Sequence, residues 1–402
     1  MEPPMHRPFS LLGSALDILR WGPAHFLQRT TAVLGPIFRF RLLQKTFVIL
    51  SASENKELLN EYFHNKDLVF ARGTIQMIGL DLFLYNGQEI AMRNLHSKLL
   101  RTKWQSNLDQ EIHSISSETV GYLDTLSTDS SIKYSGLTLN NTSHHNLFPY
   151  WVLRFIFPFM SNLHQSVKNL QSALLPIIST TRTTLESQSP SPKNLLHQLI
   201  STYKDDNTVA SNIILLTIPA TGNTVPTLLN ALFQIPHLPH TAVTALRGEI
   251  DATTAGKRCR KRDCETDKYA SMRVGGYVVG GYMIRKDSTV LLNGIGMHGQ
   301  QWMGSGDGEF DAFRWVESGK YASGASSEYL VWGGGVSSCP GRFLAVNQVK
   351  AILCCILGKF DVTYAGGVEG VVGKSIGFAS VKPGMVDGKV VGLNFQNDLF
   401  KC

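Results

Sequence analysis

The chain has 402 residues, 43% of them hydrophobic and 17% charged. That is enough apolar material for a large buried core, and it excludes a disordered or fibrous chain. The 38 Lys and Arg against 31 Asp and Glu leave a net charge of +7, which permits nucleic acid, anionic lipid or an acidic protein as partner and selects none of them. No helix-turn-helix, finger or RNA-binding signature accompanies the charge, so no nucleic-acid partner is expected.

In chain order, the first residues, Met1–Pro8, are rich in proline and lack the apolar core of a signal peptide. They read as an extended, stiff segment, and residues 1–12 are set apart as a hinge-like stretch ahead of one domain over 13–402. Ile37–Leu43 alternates apolar and polar residues and is followed by the β-rich Thr46–Leu50, which predicts a hairpin. Residues 52–62, 88–125 and 160–205 have apolar residues at three-to-four spacing, as in Leu95, Leu99, Leu100 and Trp104, and predict helices. A further helix is expected over Ile213–Ile235. The longest apolar runs, Asn212–Ala220 and Val349–Leu357, fall well short of the ~20 residues a membrane-spanning helix needs.

The basic run Lys257, Arg258, Arg260, Lys261 and Arg262 reads as a solvated loop or as a docking surface for an acidic partner. The glycine-rich residues 304–308 and 365–373 lack the strand-to-helix context and the lysine of a phosphate cradle. From 359 onward the chain is rich in Gly and Val and predicts strands and turns. The expected fold class is mainly α with a minor β portion (α+β), the strands coming from both ends of the chain.

All six cysteines (Cys259, Cys264, Cys339, Cys354, Cys355 and Cys402) lie beyond residue 258. Their spacing matches neither a tetrahedral zinc site nor a disulfide scaffold and points to a reducing compartment. Cys339 stands out. It follows Trp332-Gly-Gly-Gly-Val-Ser-Ser338 and precedes Pro340-Gly-Arg-Phe-Leu-Ala345, which opens an apolar helical run to Leu357. Three consecutive glycines allow backbone conformations and close approach that a Cβ would forbid. Pro340 fits the first residue of a helix. Cys339 would then face unpaired amides at a helix N-terminus, an environment that stabilises a thiolate and suits it to bind iron. A buried structural cysteine remains open, as does a cysteine nucleophile, although the latter needs a His/Asn context that the sequence does not supply.

Trp332, Gly335, Cys339 and Gly341 fill an aromatic-x-x-Gly-x-x-x-Cys-x-Gly pattern that resembles the haem-ligand loop of the cytochrome P-450 monooxygenases. Thiolate ligation by these enzymes is a general property of the family. Upstream, Phe310-Asp-Ala-Phe-Arg314-Trp315 resembles the family's Phe-x-Pro-x-Arg-Phe segment. His298 and Trp302 fall where the family has a His and a Trp, and Tyr277–Leu291 looks like its β-hairpin and following strand. Glu265-Thr-Asp-Lys268 resembles the Glu-x-x-Arg helix, with Arg273 beyond it as the arginine that follows. Lys268 replaces the expected arginine, keeping the charge but losing the bidentate fork, and Asp267 is a further departure.

Ala220-Thr-Gly-Asn-Thr-Val-Pro226 resembles the family's oxygen-binding helix motif. Thr224 stands in place of the threonine that hydrogen-bonds bound oxygen and helps deliver protons, and Asn223 replaces the acid. The alternative for Thr224 is a plain helix threonine bonded to a carbonyl one turn earlier. Gly-Asn-Thr-x-Pro together with Trp-Gly-Gly-Gly looks most like the subgroup that contains sterol 7-hydroxylases, prostacyclin synthase and related fungal enzymes. Near Gly87–His96, where the family places a propionate-binding Trp or His and an Arg, the register gives Ile90 and Asn94. Arg93 and His96 are substitutes there, and Ser337 stands where the family has an arginine or histidine. Arg273 is the better propionate candidate.

The resemblance implies a cytochrome P-450 fold in a single domain and a b-type haem whose iron is held by Cys339. Gly335, Gly341, Arg273 and Trp332 form its surroundings, with Thr224 and Asn223 as catalytic residues. It also implies O2, a hydrophobic small-molecule substrate (a sterol, terpenoid or polyketide-like compound), an NADPH-dependent cytochrome reductase and contact with a membrane surface. Full-length relatives sit on the cytosolic face of the endoplasmic reticulum, and this chain is expected to lack their anchor and to be soluble or peripheral. Two other readings stay open: a haem-thiolate isomerase or dehydratase that needs no external electrons, and a truncated, catalytically impaired haem-binding member.

Overall fold

Two helices open the folded part of the chain, α1 (Ala15–Trp21) and α2 (Pro23–Leu34). They meet at Gly22, whose φ of 78° is a conformation that glycine adopts without strain. Pro23 then begins α2, where a missing N–H is no loss. The computed structural model describes residues 1–6, 14–42, 45–51, 114–119, 131–133, 163–188, 194–254, 277–285, 288–293, 321–326, 329, 331–334, 338–365, 372–376, 380–386, 389–390 and 392–397. Over these residues the architecture is mainly α with a minor β portion, as the sequence predicts.

The expected hairpin is present: β1 (Ile37–Leu42) pairs antiparallel with β2 (Lys45–Leu50), with Phe38 opposite Ile49 and Phe40 opposite Phe47. Phe38 and Phe40 point to one face and bury there against Phe26 and Leu27 of α2 and Phe47 and Ile49 of β2. The Phe26 ring meets Phe40 edge-on at 5.4 Å, and Phe40 stacks on Phe47 at 5.4 Å. Burying side chains of this size is worth about 1.5–3 kcal/mol each, so the cluster anchors α2 to the hairpin.

The other edge of β2 pairs in parallel with β6 (Thr289–Leu292). A strand some 240 residues downstream therefore completes this sheet, and the strands that follow Leu357 lie in other sheets. Alternation within 37–50 could not reveal a parallel partner some 240 residues away. A buried polar link closes the junction: Asn293 donates to the Ser51 hydroxyl at 2.7 Å, and Ser51 shares a 3.1 Å hydrogen bond with Thr31 of α2.

Residues 1–6 lie along the outer edge of β1. The Arg39 N–H donates to the Pro4 carbonyl and the His6 N–H donates to the Arg39 carbonyl, both at 2.7 Å. The Glu2 carboxylate takes Arg39 on one oxygen and Arg285 on the other. Burial works to raise the Glu2 pKa, but hydrogen bonding and charge from Arg39, then from Arg285, outweigh it and hold the carboxyl below its ordinary value.

The helical body contains α3 (Leu163–Gln188), α4 (Leu195–Thr202) and α5 (Asp206–Gln234). Ile178, Leu199, Ile200, Val209 and Ala210 form their shared core. The helix expected from Ile213 starts earlier, because Asp205 caps it. Its carboxylate accepts the Thr208 N–H at 2.8 Å and the Thr208 hydroxyl at 2.6 Å. After a short 3-10 turn at Ile235–His237 comes α6 (His240–Thr254).

Near the C-terminus, α7 (Arg342–Leu357) leads into β7 (Phe360–Tyr364). β7 lies beside β11 (Gly392–Asn397), which also pairs with β3 (Ser131–Lys133). A tight hairpin is formed by β4 (Tyr277–Val279) and β5 (Tyr282–Ile284), as expected. β8 (Val372–Ile376), β9 (Ser380–Val386) and β10 (Lys389–Val390) make a further three-stranded sheet, so the described part of the tail is strands and turns.

Leu232 and Phe233 of α5 pack with Ile356 and Leu357 of α7 and with Phe360, Val362, Leu393 and Phe395. Arg247 of α6 fastens this corner, donating to the Leu357 carbonyl at 3.0 Å and to the Phe360 carbonyl at 2.9 Å, and reaching the Asp361 carboxylate at 2.7 Å.

Among the described residues no helix is long and apolar enough to cross a membrane. The expected helix at 52–62 and most of that at 88–125, the basic run at 257–262, the Glu265–Arg273 segment, His298, Trp302 and Phe310–Trp315 lie outside the described residues, as do Ile90, Arg93, Asn94, His96 and Ser337.

Candidate functional site

The cysteine loop is a closed structure. The Cys339 N–H donates to the Trp332 carbonyl at 2.7 Å, joining the two ends of the glycine-rich stretch. Gly333, just inside that closure, has a φ of 69°, which explains a glycine directly after Trp332. The Trp332 indole N–H donates to the Ala322 carbonyl at 2.6 Å, tying the loop to the turn before it.

On the other side of the cysteine, Arg342 donates from Nη1 to the Cys339 carbonyl at 2.9 Å, and its guanidinium lies 4.3 Å from the Phe343 ring centre. The Cys339 backbone is thus gripped through both its N–H and its C=O. Arg342 was not among the residues the sequence singled out. Its spacing was the signal: a long cationic side chain three residues after Cys339, opening a helix, can reach back to that carbonyl.

One local expectation needs correction. Pro340 is not the first helical residue. Pro340 and Gly341 form a turn, Gly341 is the N-cap, and α7 begins at Arg342. The first bond of the helix, from the Ala345 N–H to the Gly341 carbonyl at 2.9 Å, starts beyond the proline. Cys339 therefore precedes the helix by about one turn instead of abutting it.

Cys339 is half-buried and carries a thiol. A Cβ placed on Gly341 would stand 4.0 Å from the sulfur, in ordinary van der Waals contact, so position 341 lies beside the thiol. No carboxylate occurs anywhere between Val331 and Leu357. The described residues thus fit a haem iron: one sulfur ligand, on a backbone held from both sides, with glycine beside it.

Thr224 and Asn223 lie in α5. Thr224 is half-buried and Asn223 is exposed. Thr217, Thr221 and Thr227 each return the hydroxyl to the carbonyl four residues earlier, at 2.9, 2.9 and 2.8 Å. Among the described residues Thr224 has no such bond to Ala220. The helix carrying Thr224 packs against α7, the helix that follows Cys339. Their seam is formed by Leu228, Leu232 and Phe233 on α5 and by Ile352, Leu353 and Ile356 on α7. Thr224 is one turn before that seam, and Cys339 lies ahead of the opposite, N-terminal end of α7. The structure brings the two helices together and places Trp332, Cys339 and Gly341 in one loop. Gly335 and Arg273 lie outside the described residues.

Comparison with known proteins adds to this geometry. Residues 272–380 match the family model for cytochrome P450. The chain is 33% identical over 98 residues to a cytochrome P450 monooxygenase of Sordaria araneosa, covering 22% of this chain and 18% of that protein. It is 25% identical over 243 residues to one of Penicillium shearii, covering 52% and 47% of the two chains. A third, from Penicillium roqueforti, is 24% identical over 255 residues, covering 54% and 47%. The chain spans less than half the length of these curated relatives.

Proposed function

Because the chain belongs to the cytochrome P450 family, we propose that it is a haem-thiolate monooxygenase. It hydroxylates a hydrophobic small molecule, a sterol, terpenoid or polyketide-like compound, with O2 and with electrons from an NADPH-dependent reductase. Residues 13–402 act as one catalytic domain behind the segment 1–12. In this reading the protein works at the cytosolic face of the endoplasmic reticulum, against the membrane surface. One observation carries the proposal: the Cys339 amide is locked to the Trp332 carbonyl, so the loop presents a half-buried thiol ahead of α7.

Cys339 supplies the thiolate ligand to the iron. A b-type haem held there would supply the oxygen-activating chemistry. Trp332 and Arg342 fix the Cys339 backbone, which sets where the sulfur stands. Gly335 and Gly341 keep side chains away from it, and Arg273 neutralises the propionate carboxylates. The Thr224 hydroxyl, not committed to its own helix, holds and passes a proton on the substrate side. The Asn223 amide orients water beside it, but unlike an acid it has no proton to deliver at neutral pH. The basic run at 257–262 docks the acidic reductase.

The test is spectroscopic. Expressed with haem precursor, the protein takes up haem, and its reduced carbon monoxide complex shows the red-shifted Soret band of thiolate ligation. Cys339→Ser abolishes that band. Failure to take up haem, or an unchanged spectrum in the serine variant, overturns the proposal. Asn223 in place of an acid favours a second reading, a haem-thiolate isomerase or dehydratase. Turnover that proceeds without NADPH and reductase selects it.

A further inference from the structure

Away from the cysteine loop, the corner between α1 and α2 encloses an open cleft of about 600 Å3, lined by Arg20, Trp21, His25, Gln28, Arg29 and Ala32. His25, Gln28, Arg29 and Ala32 follow the i, i+3, i+4, i+7 spacing of one helix face, and the turn at Gly22 sets Arg20 and Trp21 against it. The Arg29 guanidinium lies 4.6 Å from the Trp21 ring centre. Stacking of this kind holds the planar fork in place before any ligand arrives, which lowers the ordering cost of binding.

The electrostatics of the cleft are one-sided. Among the described residues no carboxylate lines it, and α2 contains no acid at all. The single acid of α1, Asp17, faces His6 at 3.8 Å. Among the described residues neither Arg20 nor Arg29 forms an ion pair. Two guanidinium groups, an imidazole and a side-chain amide thus line one concavity with no counter-charge among the described residues.

We propose that this cleft binds a phosphate group. The guanidinium forks of Arg20 and Arg29 match phosphate oxygens in a bidentate way that a carboxylate-poor site leaves open, and His25 and Gln28 add donors. The rim says what carries the phosphate. Leu16 and Leu19 share the face of Arg20 and are 50% and 80% exposed, and Val33, four residues after Arg29, is 81% exposed. Apolar residues beside a phosphate grip suit an amphiphile, whose apolar body covers them, better than a bare ion.

The experiment uses the full chain and two probes: vesicles of phosphatidylcholine with or without phosphatidic acid, measured by sedimentation, and inorganic pyrophosphate, measured by calorimetry. Binding of the phosphatidic acid vesicles is expected, with a loss of about tenfold or more in the Arg20→Gln, Arg29→Gln double variant. Lys168→Gln, which removes an exposed charge on α3, leaves binding unchanged. Gln28→Glu, which puts a carboxylate into the cleft, weakens it, and Leu19→Ser weakens the vesicle arm alone. Arginine-dependent binding of pyrophosphate without vesicle binding supports the same site with a soluble phosphate as its ligand. Circular dichroism melting confirms that the variants are folded. The proposal is overturned if neither probe binds, if the double variant binds as tightly as the parent, or if Lys168→Gln weakens binding as much as the arginine changes do.

Discussion

The Trp332 indole N–H donates to the Ala322 carbonyl at 2.6 Å, while the carbonyl of the same tryptophan accepts the Cys339 N–H at 2.7 Å. One residue therefore joins the turn at 321–324 to the cysteine loop, using its side chain for one bond and its backbone for the other. Trp332→Phe keeps an aromatic ring and deletes only the first bond. It should lower stability by about 1 kcal/mol, the usual net worth of one hydrogen bond. A drop in the urea midpoint checks this, together with faster loss of the thiolate-type carbon monoxide spectrum on mild heating. An unchanged spectrum lifetime would show that the bond does not hold the cysteine in place.

Arg247 ties α6 to the end of α7 and the start of β7 through two carbonyls and Asp361. Its side chain is 26% exposed and that of Asp361 33%. The ion pair is thus partly screened, and the two carbonyl bonds carry most of the effect. Arg247→Ala should destabilise the chain by about 2 kcal/mol and Asp361→Asn by less than half of that. Equilibrium denaturation of the two variants checks the ranking.

Asp205 caps α5, and hydrogen bonds from the Thr208 hydroxyl and then the Thr208 N–H hold its carboxyl below its ordinary value of 3.8. A carboxyl whose pKa is lower in the folded state stabilises the fold above its unfolded pKa. That contribution is lost as pH falls through the folded value. Wild type should therefore lose stability from about pH 4 downward more steeply than Asp205→Asn, whose amide oxygen still accepts the cap bond but does not titrate. Urea midpoints at pH 7 and pH 3 check this, and equal slopes for the two proteins would remove Asp205 from the acid transition.

Thr224 lacks the back-bond that Thr217, Thr221 and Thr227 make. Thr224→Ala should leave the melting temperature within the scatter of an ordinary surface change, about 0.5 kcal/mol. It should also raise the NADPH consumed per product formed several-fold, as proton delivery fails. Thr227→Ala, one turn along, serves as the comparison. Equal behaviour of the two variants would deny Thr224 its special role.

The sequence made the chemistry-bearing parts legible wherever the signal is local. Trp332, Cys339 and Gly341 fall in one closed loop, and the 37–50 hairpin and the helix through Thr224 form as their periodicities predict. What escaped depended on contacts distant in sequence or on cap chemistry. The parallel pairing of β2 with β6 and the buried Thr31–Ser51–Asn293 link join segments that carry no local mark of each other. Arg247 looks like any surface arginine until it meets carbonyls more than a hundred residues away. The start of α5 was readable in principle from Asp205 and Thr208 at cap spacing, but apolar periodicity alone begins only at Ile213. Likewise, a proline at 340 suggests a helix start, yet the helical bonding begins beyond it.

The strip of chain at residues 1–6 has a further consequence. In the sheet ordered β1-β2-β6, β1 is an outer strand, and the bridge between Met5 and Arg39 occupies its free side. Outer strands with unpaired N–H and C=O groups are templates for self-association. Here residues 1–6 block that template, clasped by Glu2 to Arg39 and Arg285. Chains lacking these six residues would expose a strand rich in phenylalanine and should form dimers and larger aggregates. Loosening the clasp with Glu2→Gln should push the full-length chain in the same direction, more so at low salt.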